Sequence, residues 1–378
     1  VSEDLGLPEL RELAKSFWAK EVTPHQPRWR AAHQVDRELW TTAGGAGLLC
    51  VGVPEPYGGG GGSFAHEVVL AEEQARAGDT SWGRTAHDIV ARYLLLHGTE
   101  RQKTRWLPRM AAGELVGALA ITEPDAGSDV QAITTRARRV AGGYLLHGAK
   151  TFVTNGIHSG LVLVLAKVAD PERRTPPLSL FVLETAGLPG LHRGPALEKI
   201  GLHGQDTAEL FLDGVELTAE HLLGEVEGRG LAQLLPLISR ERLLIAVTSV
   251  AVMETALAET VRYCKQRRAF SRPLMRFQNT QFVLAGAAAQ VAASRALLDS
   301  TVAAELVRGA SMAEVALAKL WCTERLGEVL DSCLQLFGGY GYMSEYPVAR
   351  AWADARVARI FGGTNEIMRE IVAASLGE

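Results

Sequence analysis

The chain has 378 residues, of which 39 are Lys or Arg and 43 are Asp or Glu, giving a formal net charge of −4. With 47% apolar and 22% charged residues it has an ordinary globular composition and room for two or three domains, which excludes disorder and a small disulfide-stapled scaffold. A mildly acidic chain has no clustered positive charge for nucleic acid or an anionic membrane surface, so neither is expected as a partner.

The first stretch, residues 7–114, is helical in pattern: Leu10, Leu13, Ala14 and Phe17 recur at 3.6-residue spacing, and residues 68–77 and 91–97 repeat it. Turn chemistry interrupts it at Thr23-Pro24, at Pro54-Glu55-Pro56 and at the glycine run 58–62. That run lacks a Lys-Ser/Thr ending and a GxGxxG spacing, so it reads as a mobile connecting loop and not a phosphate cradle. The acidic opening Val1-Ser2-Glu3-Asp4 has the wrong polarity for a signal or Arg-rich transit peptide.

Between about 119 and 223 the pattern becomes short β-rich runs at 144–147, 161–168, 178–183 and 208–212, separated by Gly and Pro. Gly142-Gly143 reads as a hairpin turn, and the proline-rich loop from Asp170 to Pro177 as the most exposed part of this region. From Gly230 the helical period returns, broken near Ser271-Arg272-Pro273, Gly309 and Gly338-Gly339. Ala287, Ala288, Ala289, Ala292 and Ala293 predict close-packed antiparallel helices with a second face for self-association. The expected fold is α+β: an N-terminal helical domain over 1–116, a middle β-barrel or sandwich over 117–224, and a C-terminal four-helix bundle over 225–378.

No uninterrupted run of about 18 apolar residues is visible, so no membrane span is expected. Cys50, Cys264, Cys322 and Cys333 lack CxxC spacing, which reads as reduced thiols and a cytoplasmic setting. His66-Glu67 is followed by Leu70 where HExxH needs its second ligand, no GxSxG elbow occurs, and no histidines pair at metal spacing, so no metal is expected. Arginine outnumbers lysine 31 to 8, which hints at a GC-rich bacterial genome.

Four runs offer chemistry. Thr122-Glu123-Pro124-Asp125-Ala126-Gly127-Ser128-Asp129 puts hydroxyls and small residues in a loop able to present backbone N–H groups, although it is equally an ordinary polar turn. Phe152-Val153-Thr154-Asn155-Gly156 offers an aromatic and a hydroxyl at a strand end. Gln335-Leu336-Phe337-Gly338-Gly339-Tyr340-Gly341-Tyr342 and Phe361-Gly362-Gly363-Thr364-Asn365-Glu366 combine glycine with polar groups where backbone can approach a ligand.

With Gln205-Asp206-Thr207-Ala208-Glu209-Leu210, Gln266-Arg267-Arg268-Ala269-Phe270, Phe277-Gln278 and Glu345-Tyr346-Pro347, these runs resemble the acyl-CoA dehydrogenase family along essentially the whole chain. The run Arg240-Glu241-Arg242-Leu243-Leu244-Ile245-Ala246, with residues 362–368, most resembles the long-chain branch. The resemblance implies FAD-dependent α,β-dehydrogenation of an acyl-CoA thioester to the trans-2-enoyl product, with the β-hydride passing to flavin N5. The α-proton is far less acidic than a carboxylic acid, so the base must be poorly solvated and the enolate oxygen held by pre-aimed donors.

Many relatives carry the catalytic Glu where this chain has Gly362. The resemblance implies that Glu241 supplies the carboxylate instead and that Gly362 keeps its backbone N–H contact; the competing reading is a solvated carboxylate paired with Arg240 or Arg242. It implies a flavin lining of Leu119, Ala120, Ile121, Thr122 and Gly127, covered on its other side by Phe152, Val153 and Thr154. Arg267, Phe270, Gln278, Gln335, Leu336, Phe337, Gly338 and Gly339 are implied at the FAD pyrophosphate and adenosine, partly from an adjacent subunit. Thr364, Asn365 and Glu366 complete the cofactor site, and Ser128, Ser239, Arg240, Arg242 and Gly363 contact substrate.

Two departures bear on binding: Ser271 replaces a usual Gly, and Ala232 stands where the long-chain branch has a substrate-contacting Tyr. Expected partners are the thioester, an electron-transferring flavoprotein as acceptor, and three further copies in a homotetramer. The rival readings are the same chemistry on an acyl-carrier-protein thioester, a flavin oxidase or monooxygenase, and a scaffold that keeps FAD only for stability. The excess of arginine reads partly as recognition of the substrate's phosphates.

Overall fold

The computed structural model describes residues 6–169 and 176–377. The Asp170 to Pro177 loop lies outside the described residues as far as 175, as does the acidic opening Val1-Ser2-Glu3-Asp4. The chain packs into two compact units: one comprises residues up to 67, 80–199 and 203–237, the other 68–79, 200–202 and 238 onward.

The helices α1 (Leu7–Phe17), α2 (Gln26–Ala32), α3 (Glu38–Gly45), α4 (Phe64–Arg76), α5 (Arg84–His97) and α6 (Glu100–Ala111) come first. Helix α1 buries Ala14 and Phe17 but leaves Leu13 exposed, and it runs on through a π-helical turn that the 3.6-residue spacing could not show. Thr99 and Gln102 close α6 with a reciprocal capping box, which satisfies two of its orphan N–H groups. The glycine run 58–62 is no free loop. Gly61 and Gly62 donate to the Val53 and Val51 carbonyls at 2.8 Å, and a Cβ on Gly59 would sit 2.1 Å from the Val53 oxygen.

In the same unit the strands β1 (Val116–Ala120), β2 (Arg136–Val140), β3 (Gly143–Thr154), β4 (Ser159–Val168), β5 (Leu178–Glu184), β6 (Leu191–Arg193) and β7 (Thr207–Thr218) form one seven-stranded sheet. Its order is β1-β4-β2-β3-β7-β6, with β5 pairing β4. Gly142, at φ 82°, makes the expected hairpin between β2 and β3. Side chains alternate along a strand, so β4 feeds two cores. Leu161, Leu163 and Leu165 pack with α5 and α6 residues Val90, Leu94, Trp106 and Leu107, whereas Val162, Val164 and Ala166 join Leu146, Phe181, Val215 and Leu217. A strand buried on both faces reads as a continuous apolar run, as this one does.

The second unit is built from α7 (Gly230–Gln266), the short hairpin β8 (Arg268–Ala269) and β9 (Arg272–Pro273), α8 (Gln278–Arg308), α9 (Met312–Phe337), α10 (Pro347–Ala355) and α11 (Asn365–Ser375). Helices α8, α10 and α11 pack against α9, whose N-terminus is closed by a Ser311–Glu314 capping box. The four cysteines are free and buried. By length and composition alone, α7 and α8 are apolar enough to cross a bilayer, although neither contains an unbroken apolar run of that length. Scattered Ser, Thr and Gln hide this from a search for an unbroken run, and half of the apolar stretch of α7 is buried inside the protein, as in a core helix.

Candidate active site

The predicted site residues fall in both units and are described within each. In the first unit the chain leaves β1 through Ile121 and Thr122 and turns at Glu123 and Ala126, which exchange backbone hydrogen bonds of 3.0 and 3.1 Å. Two buried charges hold this turn. Glu123 accepts from Thr134 N (2.6 Å), Thr134 Oγ1 (2.8 Å), Thr135 N (3.0 Å) and Lys150 Nζ (2.8 Å). Burial alone would raise the Glu123 carboxyl, but the bonds from Lys150 and the threonines outweigh it and hold the group at about 2. Burial draws Lys150 down to about 8 against the pull of Glu123, so both are charged at neutral pH.

Lys150 also donates to the Ile121 carbonyl at 2.9 Å, and Thr151 N to the Thr122 carbonyl at 3.0 Å, which fixes the backbone on both sides of Thr122. Leu119, Ile121 and Thr122 are half-buried, Ala120 is buried, and Gly127 and Ser128 are exposed.

Phe152 is the least ordinary of the predicted residues. The β3–β7 register slips between Lys150 and Val153, and Phe152 takes φ 56° with 68% of its surface exposed. A bulky residue in the left-handed region is strained, and strain of this kind gathers at functional sites. Val153 beside it is buried in the sheet core and Thr154 is half-buried. Asn155, also at positive φ, donates to the Gly83 and Gly117 carbonyls at 2.9 and 3.0 Å and so anchors the bulge that presents Phe152.

In the second unit α7 carries Ser239, Arg240, Glu241 and Arg242. Glu241 keeps part of its surface open, yet burial pushes its carboxyl up to about 7 against the opposing pull of Arg242. Arg242 is buried and donates from Nε to the Gly362 carbonyl at 2.8 Å, so its hydrogen bond goes to backbone and not to the neighbouring carboxylate. Gly362 and Gly363 take φ 64° and 92°, a conformation that favours glycine. A Cβ on Gly362 would lie 2.5 Å from Ile245 Cδ1, and one on Gly363 would lie 3.0 Å from the Arg242 guanidinium. Thr364 caps α11, accepting from Ile367 N at 3.4 Å; Asn365 behind it is buried, and Glu366 is exposed.

A separate open cavity of about 630 Å³ in this unit is lined by five of the predicted cofactor residues, Gln335 to Gly339, and by Arg267. Sequence reasoning missed Tyr263, Leu274, Thr280 and Met343 on its wall. Tyr263 stacks on Phe337 at 4.1 Å and stands one helical turn before Arg267, a signal that could have found it. The Arg267 guanidinium lies over the Tyr340 ring at 5.4 Å. Phe270 and Gln278 lie outside this wall: Phe270 is 91% exposed at φ 49°, and Gln278 is exposed at the start of α8. Ser271 follows at φ 64°, which explains physically why glycine is the usual residue there.

Among the described residues the structure also gathers one metal-type group that linear spacing could not show. Cys50, His87 and Asp88 offer ligand atoms within 4.8 Å of one another. Gly117 N donates to His87 Nδ1 at 3.0 Å, which puts the ring proton on Nε2, the nitrogen 3.5 Å from Cys50 Sγ. A protonated nitrogen cannot ligate, and burial together with Arg84 holds His87 neutral with its pKa at about 3.

The acyl-CoA dehydrogenase N-terminal, middle and C-terminal domain families match residues 7–114, 118–215 and 228–377. The mitochondrial long-chain specific acyl-CoA dehydrogenase of Sus scrofa is 42% identical over 97% of this chain and 85% of its own length. The acyl-CoA dehydrogenase of Geobacillus kaustophilus superimposes with a TM-score of 0.95 at 39% identity, covering 100% of this chain and 99% of that one. A glutaryl-CoA dehydrogenase from Mycobacterium smegmatis in complex with FADH2 gives 0.90 at 25% identity, covering 100% and 96%. Sequence and fold agree along the whole chain, which therefore belongs to the acyl-CoA dehydrogenase family of FAD-dependent oxidoreductases.

Proposed function

We propose that this chain removes the α-proton of an acyl-CoA thioester through Glu241 and yields the trans-2-enoyl-CoA. The observation that carries the reading is the state of Glu241: partly open to a ligand, yet poorly enough solvated that its carboxyl titrates near neutrality at about 7. A general base works best with its pKa near the working pH, and a helix-surface carboxylate would not be lifted so far. The proton moves to a Glu241 oxygen, the electron pair left behind forms the double bond as the β-hydrogen departs, and Gly362 N–H holds the thioester oxygen while charge develops there. Ser239, Arg240, Arg242, Gly363 and Ser128 are assigned to orienting the substrate.

The residues present fit FAD. The cavity beside Arg267 offers one guanidinium for a pyrophosphate, aromatic walls and a glycine pair at 338–339 with open space beside it. When bound, FAD supplies the acceptor for the β-hydride. Arg267 and residues 335–339 would hold its nucleotide half; Leu119, Ala120, Ile121, Thr122, Gly127, Phe152, Val153 and Thr154 its ring; Thr364, Asn365 and Glu366 the rest. An electron-transferring flavoprotein is the proposed acceptor, and the proposed assembly is a homotetramer.

The test is anaerobic mixing of the FAD-loaded protein with CoA esters of increasing chain length, following the flavin absorbance. Bleaching by one or more esters, slowed about 10²–10⁴-fold or abolished in Glu241→Gln with FAD still bound, is the expected result. Undiminished bleaching in that variant would sink the base assignment. Bleaching only by acyl-carrier-protein thioesters would move the substrate to the carrier-protein class.

A further inference from the structure

Lys319, on α9, has no exposed surface, and it donates to two neutral oxygens, the Gly363 carbonyl at 2.9 Å and Asn365 Oδ1 at 2.7 Å. A buried ammonium without a carboxylate on it is costly to desolvate, which shows in its pKa, drawn down to about 8 by burial and then by Arg242. Glu324 and Glu366 pull the other way electrostatically. A hydrophobic side chain would fill this place on an Ala/Leu-rich helix more cheaply, so the charge has to be explained by what it holds.

It holds the glycine turn from below. Arg242 donates to the Gly362 carbonyl, Lys319 to the carbonyl of the next residue, so the two peptide planes that follow the Gly362 N–H, 362–363 and 363–364, are pinned by two cations on different helices, and that N–H, in the plane before them, is held through the Gly362 Cα. Both glycines sit at positive φ, where the unrestrained backbone has the widest choice of conformations. Asn365, the other oxygen on Lys319, is itself fixed by bonds from its amide to Thr323 Oγ1 (3.0 Å) and Glu324 Oε1 (2.9 Å), so the clamp is tied into α9. Pre-aimed donors cost no reorganisation when charge develops, and bonds to charged groups are about twice as strong as neutral ones.

We propose that Lys319 is a positioning residue that, with Arg242, locks the Gly362-Gly363 turn so that the Gly362 N–H points at the thioester oxygen. It rests on the reading of Gly362 as the donor at that oxygen, and the test has one arm that does not depend on that reading. In the protein as purified, Lys319→Met is expected to speed amide hydrogen exchange across residues 361–364 by about tenfold or more while the rest of α9 stays protected; unchanged exchange there would overturn the clamp.

The second arm uses the FAD-loaded protein and a CoA ester with sulfur at the β-position. Such an ester can lose its α-proton to Glu241 but has no β-hydrogen to transfer, so the enolate shows as long-wavelength absorbance against oxidised flavin. Lys319→Met is expected to move the pH midpoint of that band up by about one unit with FAD affinity unchanged. An unmoved midpoint in a wild-type-like band would overturn the positioning role. A wild-type protein that gives no band at any pH counts against Glu241 and Gly362 alone, and the exchange arm then decides the clamp. Should Lys319→Met not fold, Lys319→Gln takes its place, and failure of both to fold would overturn the proposal in favour of a purely structural lysine.

Discussion

At the scale of single residues, Glu241 links catalysis to stability. Its carboxyl sits near 4.5 in the unfolded chain and at about 7 in the folded one, so between those values the folded protein binds the extra proton and stability falls as pH rises. Above about 7 the folded protein carries a poorly solvated negative charge at a cost bounded by ~3 kcal/mol. Glu241→Gln removes that cost. The variant is expected to melt close to the wild type at pH 4 and several degrees above it at pH 8, while kcat/KM of the wild type climbs to a plateau as pH passes about 7. A melting difference that does not change with pH would show that Glu241 is well solvated. Lys150 and Lys319 make a second point at this scale: the chain has only 8 lysines, and these two are fully buried, each donating to a backbone carbonyl in a segment assigned to the site. A compact ammonium has three donors to divide among neighbouring oxygens, as Lys150 does between Ile121 and Glu123 and Lys319 between Gly363 and Asn365.

At the scale of elements, the second unit depends on an ion-pair network that no sequence period announces. Arg295 on α8 makes a bidentate pair with Glu254 of α7 (2.8 and 2.9 Å) and reaches Glu72 of α4 at 2.9 Å; Arg76 adds Glu72 at 3.2 Å and Glu73 at 2.6 Å. Glu72 is buried and Arg76 remains on it, so Arg295→Met removes one of its two guanidiniums together with the bidentate pair to Glu254 and is expected to cost about 2 kcal/mol in chemical denaturation at pH 7. Arg295→Lys, which keeps the charge, is expected to recover part of that loss, and no recovery would mean that packing and not charge is what Arg295 supplies. Periodicity located the long helices and the central strands because one face or both faces of each is apolar, β4 being the clearest case. It could not show that Ile121 is pinned by Lys150, nor that Lys319 reaches Gly363, because such bonds join residues 29 and 44 positions apart. Glu241 and Gly362 were legible only as members of family motifs; the burial that lifts the carboxyl belongs to the folded unit. The Cys50, His87 and Asp88 group was invisible for the same reason of sequence distance.

At the scale of the whole molecule, α8 carries an unused face. Leu284, Ala287, Val291, Ser294 and Leu298 are buried, whereas Ala285, Ala288, Ala289, Ala292 and Ala296 form an exposed stripe at helical spacing, with Phe282 66% exposed near its start. Only 28% of the most apolar stretch of this helix is buried within the chain. Small side chains allow two helix backbones to approach closely, so the stripe suits another copy of the same surface. Phe270 and Gln278 point the same way. Both were assigned to FAD, neither lines the chain's own cavity beside Arg267, and both are exposed where a neighbouring copy's cofactor could use them. The expected mass in detergent-free buffer, by light scattering, is that of four copies. Ala288→Glu with Ala292→Glu places two carboxylates on the stripe one turn apart and is expected to break the assembly into smaller species that lose FAD on gel filtration, at a concentration where the wild type keeps it. An assembly that survives both charges would place the interface elsewhere. Dissociation with FAD fully retained would show that each chain holds its cofactor alone and would remove Phe270 and Gln278 from the site.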